Sequence, residues 1–147
     1  MTVSEICTKF VVTADPDETI VEAARRMRDR HVGDLIVADT HGRPVGILTD
    51  RDIVVSAVAQ SPDRLDGLRV SDVMSPDPVT SLANETIDDA LTKMRAGGIR
   101  RLPVVSRDGR LEGIVTLDDI LKRMSAELDK MVGLVAREQT HEREVRR

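Results

Sequence analysis

The chain has 147 residues, of which 40% are apolar, and a formal net charge of -4. This length fits one compact domain or two small repeats that share a core. With no Trp, no Tyr and a single Phe, the chain lacks the aromatic platforms on which single-stranded nucleic acids stack, and its negative charge disfavours a phosphate backbone. We therefore expect no nucleic acid among its partners.

Cysteine and histidine are sparse in this chain. The single cysteine, Cys7, rules out an intramolecular disulfide and fits a reducing compartment. Three scattered histidines show no metal-ligand spacing. No apolar run approaches the roughly 20 residues of a membrane span, and residues 1–5 lack the features of a secretory signal. The sequence predicts a cytoplasmic protein without a metal and without membrane contact.

The apolar pattern of the first half predicts three strands and two helices. Apolar residues at Ile20, Ala23, Ala24 and Met27 follow the spacing of one helix face. Short apolar runs bounded by turn residues indicate strands. The predicted order is strand 10–13, helix 19–28, strand 35–38, strand 45–48 and helix 50–59.

The same order returns after a polar linker at residues 61–69. Val3 matches Val70 at an offset of 67 residues, and this offset holds without a gap to Ile53 and Ile120. About 19 of 51 aligned positions are identical, which indicates an internal duplication. The second copy is predicted as strand 78–80, helix 86–96, strand 102–105, strand 113–115 and helix 117–124.

The predicted fold is therefore an α/β fold of two β-α-β-β-α repeats, residues 3–60 and 70–125, packed about a pseudo-twofold axis. About 50 residues is marginal for an independent core, so the copies should pack face to face and leave two equivalent clefts. Residues 126–147 should continue the last helix as an amphipathic extension. This extension can pack on its own domain or serve as a dimerisation helix, and the pattern leaves both open. We expect residues 141–147 to be frayed.

Both copies contain the pattern Gly-x-x-Thr-x-x-Asp, at residues 46–52 and 113–119. Thr-x-x-Asp can merely cap the helix that follows it, because the hydroxyl accepts from a backbone N–H of the first turn. It can also present a hydroxyl and a carboxylate at the carboxyl end of a strand, where α/β proteins commonly bind ligands. A carboxylate can accept from two vicinal hydroxyls and a helix N-terminus favours phosphate, so a nucleotide is the natural candidate. The spacing alone leaves both interpretations open; Thr19 and Thr86, which no glycine-led strand precedes, we interpret as caps.

The duplicated order together with the two Gly-x-x-Thr-x-x-Asp ends resembles the tandem cystathionine-β-synthase (CBS) domain pair, the Bateman-type module. The resemblance covers about residues 3–125, and it also rests on Val-Ser-Asp-Val-Met at 70–74 and Arg-Leu-Pro-Val at 101–104. It implies a regulatory module, without a catalytic cofactor, that binds adenosine ligands in the clefts between the repeats. AMP, ADP or ATP is the predicted ligand.

The resemblance also implies what lines each cleft, since each cleft combines Thr-x-x-Asp of one repeat with residues of the other. In the family the aspartate binds the ribose hydroxyls and the threonine hydroxyl faces the phosphate. Arg101 stands where related nucleotide sensors carry a phosphate-binding arginine, whereas Asp34 would repel phosphate in the other cleft, so we predict the first cleft to be the stronger phosphate site. The first cleft is predicted to contain Thr49, Arg51, Asp52, Val79, Thr80, Ile99, Arg100 and Arg101, and the second Thr116, Asp119, Val12, Thr13, Val32, Gly33 and Asp34.

The predicted function is that of a non-enzymatic regulator that binds an adenosine nucleotide and signals to an effector protein through a conformational shift. We expect a homodimer whose four repeats form a flat disk. Two alternatives stay open: an interaction or stress-associated structural module with empty clefts, and a binder of S-adenosylmethionine or a dinucleotide. An enzyme is not supported, because the sequence contains no nucleophile-base pair, metal cluster or Walker-type loop.

Overall fold

The computed structural model describes residues 1–146 and contains two small β-sheets flanked by helices, followed by one long C-terminal helix. The predicted α/β class and the C-terminal helical extension are confirmed. In chain order the elements are α1 (Val3–Ile6), β1 (Thr13–Ala14), α2 (Ile20–Arg30), β2 (Asp34–Ala38), β3 (Pro44–Thr49), α3 (Asp50–Asp52), a π-helical continuation of α3 (Ile53–Val58), a 3₁₀ helix (Pro62–Gly67), α4 (Val70–Val73), β4 (Ser75–Pro76), β5 (Ser81–Leu82), α5 (Ile87–Gly97), β6 (Arg101–Val105), β7 (Leu111–Thr116) and α6 (Leu117–Val145).

The two sheets follow the same plan. In each, a two-residue strand lies parallel to the first strand of an antiparallel hairpin, giving β1-β2-β3 in the first copy and β5-β6-β7 in the second. The hairpin registers also correspond, because Asp34 lies opposite Thr49 and Arg101 lies opposite Thr116. The residues that begin β2 and β6 are therefore next to the residues that end β3 and β7.

Helices α2 and α5 cover the sheets with the apolar faces predicted from their spacing. Thr19 and Thr86 cap them, each accepting a hydrogen bond from the backbone N–H three residues on, as predicted. Each copy has its own core of aliphatic side chains and no aromatic ring. The first core includes Ile20, Ala23, Met27, Leu35, Val37 and Leu48; the second includes Ile87, Ala90, Met94, Leu102, Val104 and Val115.

The segment that begins each copy packs on the other copy. Val3, at the start of the first copy, is fully buried in the core of the second, and Val70 is fully buried in the core of the first. After this buried residue, each segment continues along the edge of the other copy's sheet. In the first sheet β4 pairs with β3, and in the second Thr8 forms a bridge with Ile114 of β7. The two copies are thus joined by a reciprocal exchange of short segments as well as by the linker.

The first strand of each copy begins later than predicted. The predicted strand 10–13 is instead Thr13–Ala14, and the predicted strand 78–80 is Ser81–Leu82. The reason is tertiary, since these residues count as strands only where they meet β2 and β6 in parallel. Phe10, the apolar residue that suggested an earlier start, is 94% exposed.

Three other segments differ in kind from the predictions. The predicted helix 50–59 is one α-helical turn that widens into a π-helix, and the predicted linker contains the 3₁₀ helix Pro62–Gly67. The expected fraying from residue 141 is not seen, because α6 continues to Val145; Arg147 lies outside the described residues. Within residues 1–146, no helix is both long enough and apolar enough to cross a bilayer.

Candidate functional site

Both Thr-x-x-Asp pairs form helix caps at the end of a strand, but the two caps differ. The Thr49 Oγ1 accepts from the Asp52 N–H at 3.1 Å, and the Asp52 carboxylate accepts from the Thr49 N–H at 2.9 Å. The Thr116 Oγ1 likewise accepts from the Asp119 N–H at 3.1 Å. Among the hydrogen bonds of residues 1–146, the return bond from Thr116 to the Asp119 carboxylate is not formed. The Asp119 carboxylate therefore accepts one hydrogen bond fewer from its cap residue than the Asp52 carboxylate does.

The glycine that leads each motif makes room for the exchanged segment. A Cβ built on Gly113 would lie 2.7 Å from the backbone oxygen of Thr8, and one built on Gly46 would lie 3.0 Å from the backbone oxygen of Ser75. Real Cβ atoms essentially never lie within 3.0 Å of another atom, so a Cβ on Gly113 would have to displace the Thr8 backbone, and one on Gly46 would first have to displace the Met74 side chain. The glycines therefore serve the joining of the two copies, and they place Thr49 and Thr116 three residues farther along the same strands.

An ion pair between Asp34 and Arg101 joins the two copies near both motifs. The Arg101 guanidinium lies 3.8 Å from the Asp34 carboxylate, and the two side chains are 35% and 27% exposed. Asp34 lies opposite Thr49 in one hairpin, and Arg101 lies opposite Thr116 in the other. The structure thus brings both strand ends together through this pair.

This contact modifies the predicted asymmetry of the clefts. The sequence placed a positive Arg101 in one cleft and a repulsive Asp34 in the other, as separate influences on a phosphate. They occupy equivalent positions of the two repeats and lie in contact, so each partly offsets the other's charge. The unequal phosphate affinity of the two clefts stays a prediction.

The two residues before this pair contact the following helix of their own copy. The Arg100 guanidinium lies 3.3 Å from the Asp118 carboxylate on α6, with both side chains well exposed. The Gly33 carbonyl accepts from the Asp50 N–H at 2.9 Å, and a Cβ on Gly33 would lie 3.1 Å from the Asp50 carboxylate. Arg100 therefore contacts the turn that carries Asp119, and its predicted role beside Asp52 in the first cleft stays a prediction.

A cation in each copy holds the strand-one residue that was predicted to line a cleft. In the first copy the Arg26 guanidinium donates to the Glu18 carboxylate at 2.7 and 2.9 Å and to the backbone carbonyl of Thr13 at 3.0 Å. The hydrogen bond to Glu18 raises the pKa of Arg26. The backbone of Thr13 is fixed relative to α2 by this ion pair.

The equivalent arrangement in the second copy uses a lysine. The Lys93 ammonium donates to the Glu85 carboxylate at 2.8 and 2.9 Å and to the Thr80 carbonyl at 2.9 Å, and the Ser81 hydroxyl also donates to Glu85. Partial burial acts to raise the pKa of Glu85, but the hydrogen bonds from Lys93 and Ser81 outweigh it and hold that pKa below its ordinary value. The sequence interpretation missed both ion pairs, although their charged positions recur at the same offset as the rest of the repeat.

The remaining predicted cleft residues are divided between core and surface. Val12 and Val32 are half-buried against the first core and Ile99 against the second, whereas Val79 is 43% exposed. Arg51 is exposed on the first turn after Thr49.

A surface depression of about 870 Å³ includes two predicted cleft residues but neither Thr-x-x-Asp pair. Val12 and Thr13 line it together with Phe10, Arg30 and Asp39. It lies beside the edge strand β1 of the first sheet, reaches Leu111 of β7 in the second copy, and contains neither Asp34 nor Arg101. Over residues 1–146, no group of three or more His, Cys, Asp or Glu side chains is placed to hold a metal ion.

Two matches to the CBS domain, at residues 3–58 and 70–126, account for both copies and for the exchanged segments. The chain belongs to the CBS domain family. This result agrees with the resemblance inferred from the duplicated Gly-x-x-Thr-x-x-Asp ends, and it identifies the two joined sheets as a CBS domain pair.

Curated relatives contain the pair both alone and within larger proteins. The chain is 40% identical over 126 residues to the CBS domain-containing protein YhcV of Bacillus subtilis, covering 85% of this chain and 87% of YhcV. It is 37% identical over 122 residues to protein MK0525 of Methanopyrus kandleri, covering 83% of this chain and 62% of that protein. It is also 39% identical over 119 residues to the inosine-5'-monophosphate dehydrogenase of Methanocaldococcus jannaschii, but the match spans 81% of this chain and only 23% of that enzyme.

Solved structures of CBS proteins superpose on the whole pair. The CBS domain pair of protein MJ0100, solved in complex with 5'-methylthioadenosine and S-adenosyl-L-methionine, matches with a TM-score of 0.75 and 31% identity, over 86% of this chain and 98% of that one. The CBS domain protein PAE2072 from Pyrobaculum aerophilum, complexed with AMP, matches with a TM-score of 0.71 and 30% identity, over 81% and 89%. Similar pairs therefore bind adenosine-containing ligands.

Proposed function

We propose that the chain is a non-enzymatic, cytoplasmic regulatory module that binds an adenosine nucleotide between its two CBS repeats. The observation that carries this proposal is the meeting of the two strand ends at the Asp34–Arg101 ion pair, beside Thr49 in one copy and Thr116 in the other. The adenosine ligands of MJ0100 and PAE2072 support a ligand of this class. AMP, ADP or ATP is the proposed ligand.

Each predicted residue has a role set by its chemistry. In the first cleft Asp52 is the proposed ribose-binding residue, because a carboxylate can accept hydrogen bonds from both ribose hydroxyls while it also accepts from the Thr49 N–H. Arg101 is the proposed phosphate-binding residue, because a guanidinium forms strong, charge-assisted bonds with phosphate oxygens. Val79 and Ile99 supply aliphatic contacts to the adenine in a chain that has one aromatic residue.

The ion pair also suggests how binding produces a signal. A phosphate at Arg101 would compete with Asp34 for the same guanidinium, and Asp34 belongs to the other copy. The ligand would therefore replace a contact between copies by a contact to itself and shift their relative orientation. We propose that an effector protein reads this shift, and that the module acts as a homodimer.

Calorimetric titration of AMP and of adenosine into wild type and three variants tests the proposal. Arg101→Met should weaken AMP binding about tenfold, the equivalent of about 1.4 kcal/mol for a partly exposed charged hydrogen bond, and leave adenosine binding unchanged. Asp34→Asn should strengthen AMP binding, because Arg101 is then free of its carboxylate partner. Arg107→Met is the matched control, since Arg107 follows the far end of β6, about 15–20 Å from Arg101.

Two outcomes would contradict this function. Equal AMP affinity in wild type and Arg101→Met would show that Arg101 does not bind the phosphate. If AMP, ADP, ATP and S-adenosylmethionine all fail to bind at millimolar concentration, the proposal that the chain binds an adenosine nucleotide is wrong.

An interaction module without a ligand is the second candidate function. It is favoured by the exposed apolar side chains of α6, of which Leu128, Met131 and Leu134 are 60%, 62% and 68% exposed. Thermal unfolding with added nucleotide separates the two candidates, because a true ligand raises the midpoint by mass action and an interaction module without a ligand does not respond.

A further inference from the structure

Helix α6 leaves the body of the protein soon after it begins. Ile120 is buried in the core of the second copy, but from Leu121 to Arg146 every residue is exposed except Glu127, which is half-buried. The cap at Thr116 holds the N-terminus of the helix at the end of β7. In the described part of the chain, none of the apolar side chains of α6 beyond Ile120 is buried.

The apolar side chains of the free part of α6 follow the spacing of a helix-helix seam. Leu121, Met124, Leu128, Met131 and Val135 are separated alternately by three and four residues, which is the a/d pattern of two paired helices. Val132 and Leu134 widen this face on either side. The seven residues are between 46% and 68% exposed and lie on about 15 residues of helix: Leu121, Met124, Leu128, Met131, Val132, Leu134 and Val135.

The size of this face matches what a pair of identical chains needs. Each half-exposed side chain offers on the order of 50 Å² of apolar surface, so two copies would bury about 700 Å² of it. With apolar atoms making up roughly 60% of an interface, the total is about 1,200 Å². This reaches the roughly 1,000 Å² that a specific interface requires.

The charges that follow the seam select the direction of pairing. Glu138 and Glu142 continue the same three-and-four spacing beyond Val135. A parallel pair would set each glutamate against its own counterpart, which is unfavourable at a seam position. An antiparallel pair centred on Leu128 places Leu121 opposite Val135 of the second copy and holds each glutamate at the opposite end of the pair from its own counterpart. Glu138 is then level with Asp118, which is 71% exposed to solvent.

We propose that α6 joins two copies of this chain as an antiparallel helix pair centred on Leu128. This inference specifies the surface of the homodimer in the proposed function and so rests on that part of it. It does not depend on the nucleotide.

Sedimentation velocity over a range of protein concentrations tests the surface. Wild type should be dimeric, and Leu128→Glu should raise the dimer dissociation constant at least about tenfold, because two glutamates would then meet at the centre. Ala126→Glu, a substitution on the opposite face of the same turn of helix, is the matched control and should remain dimeric. A Leu128→Glu protein that dimerises like wild type overturns the α6 surface alone, whereas a monomeric wild type overturns the homodimer as well.

Cross-linking by oxidation tests the direction. The double variant Leu121→Cys/Val135→Cys should form a covalent dimer, and Leu121→Cys alone should not, because its counterpart lies at the other end of the seam. Wild type controls for Cys7, whose thiol is half-buried. Efficient cross-linking of Leu121→Cys alone would show a parallel pair and overturn the antiparallel arrangement.

Discussion

Replacing Gly113 by alanine should lower the free energy of unfolding by about 2–3 kcal/mol. A Cβ at this position would lie 2.7 Å from the Thr8 backbone oxygen, and ordinary contacts begin near 3.4 Å. Thr8 cannot move away freely, because its N–H and carbonyl both bond to Ile114 at 2.9 Å. Overpacking of this kind costs about 1–3 kcal/mol. Complete loss of a backbone hydrogen bond costs about 0.5–1.5 kcal/mol, so weakening the two bonds to Ile114 adds only part of this amount.

Urea unfolding followed by far-ultraviolet circular dichroism is the suitable assay, since the chain has no Trp or Tyr to report by fluorescence. The expected loss corresponds to a fall of about 5–10 °C in Tm for a chain of this size. Gly133→Ala is the control: no atom outside the helix lies within 4 Å of its added Cβ, and alanine in a helix interior gains about 0.5–1 kcal/mol. A Gly113→Ala protein with the urea midpoint of wild type would refute the role assigned to the glycine.

Two further predictions concern the carboxylates. Because the pKa of Glu85 is lowered in the folded protein, its charged form contributes stability above the ordinary value of 4.5, and this contribution is lost as the pH falls through the folded value. The urea midpoints of wild type and Glu85→Gln should therefore converge between about pH 6 and pH 3, and parallel curves would contradict the lowered pKa. Without ligand, Asp52→Ala should cost about 1 kcal/mol and Asp119→Ala only a few tenths, since Asp52 alone of the two carboxylates accepts a return bond from its cap residue; equal losses in urea unfolding would be inconsistent with this difference.

The sequence predicted the elements whose pattern is set locally. Helices α2 and α5 were located within one or two residues, because their apolar spacing and threonine caps depend only on nearby residues. The hairpins β2-β3 and β6-β7 were also predicted, since turn residues separate two apolar runs. Strands β1 and β5 were displaced, because their limits depend on a parallel partner that is distant in the chain. The π-helix after α3 has no local pattern that distinguishes it from an α-helix.

The arrangement around the candidate site could be predicted only in part. The duplicated Thr-x-x-Asp ends were visible, but a cap and a ligand site have the same spacing, and the structure contains the cap. The Asp34–Arg101 contact could have been inferred from the repeat, since the two residues are equivalent positions and equivalent positions can meet at a pseudo-twofold axis. The exchange of the leading segments could not, because an apolar residue such as Val3 fits the core of either copy equally well.

That exchange means neither copy is a complete folding unit. One copy by itself would miss the segment that fills its core and covers its sheet edge, and two separate copies on different chains would have to supply these segments to each other. Because the linker joins the two copies, each copy receives its missing segment from the same chain, at a high effective concentration. During synthesis, Thr8 leaves the ribosome before Ile114, so its place in the structure does not exist until the second copy has been made.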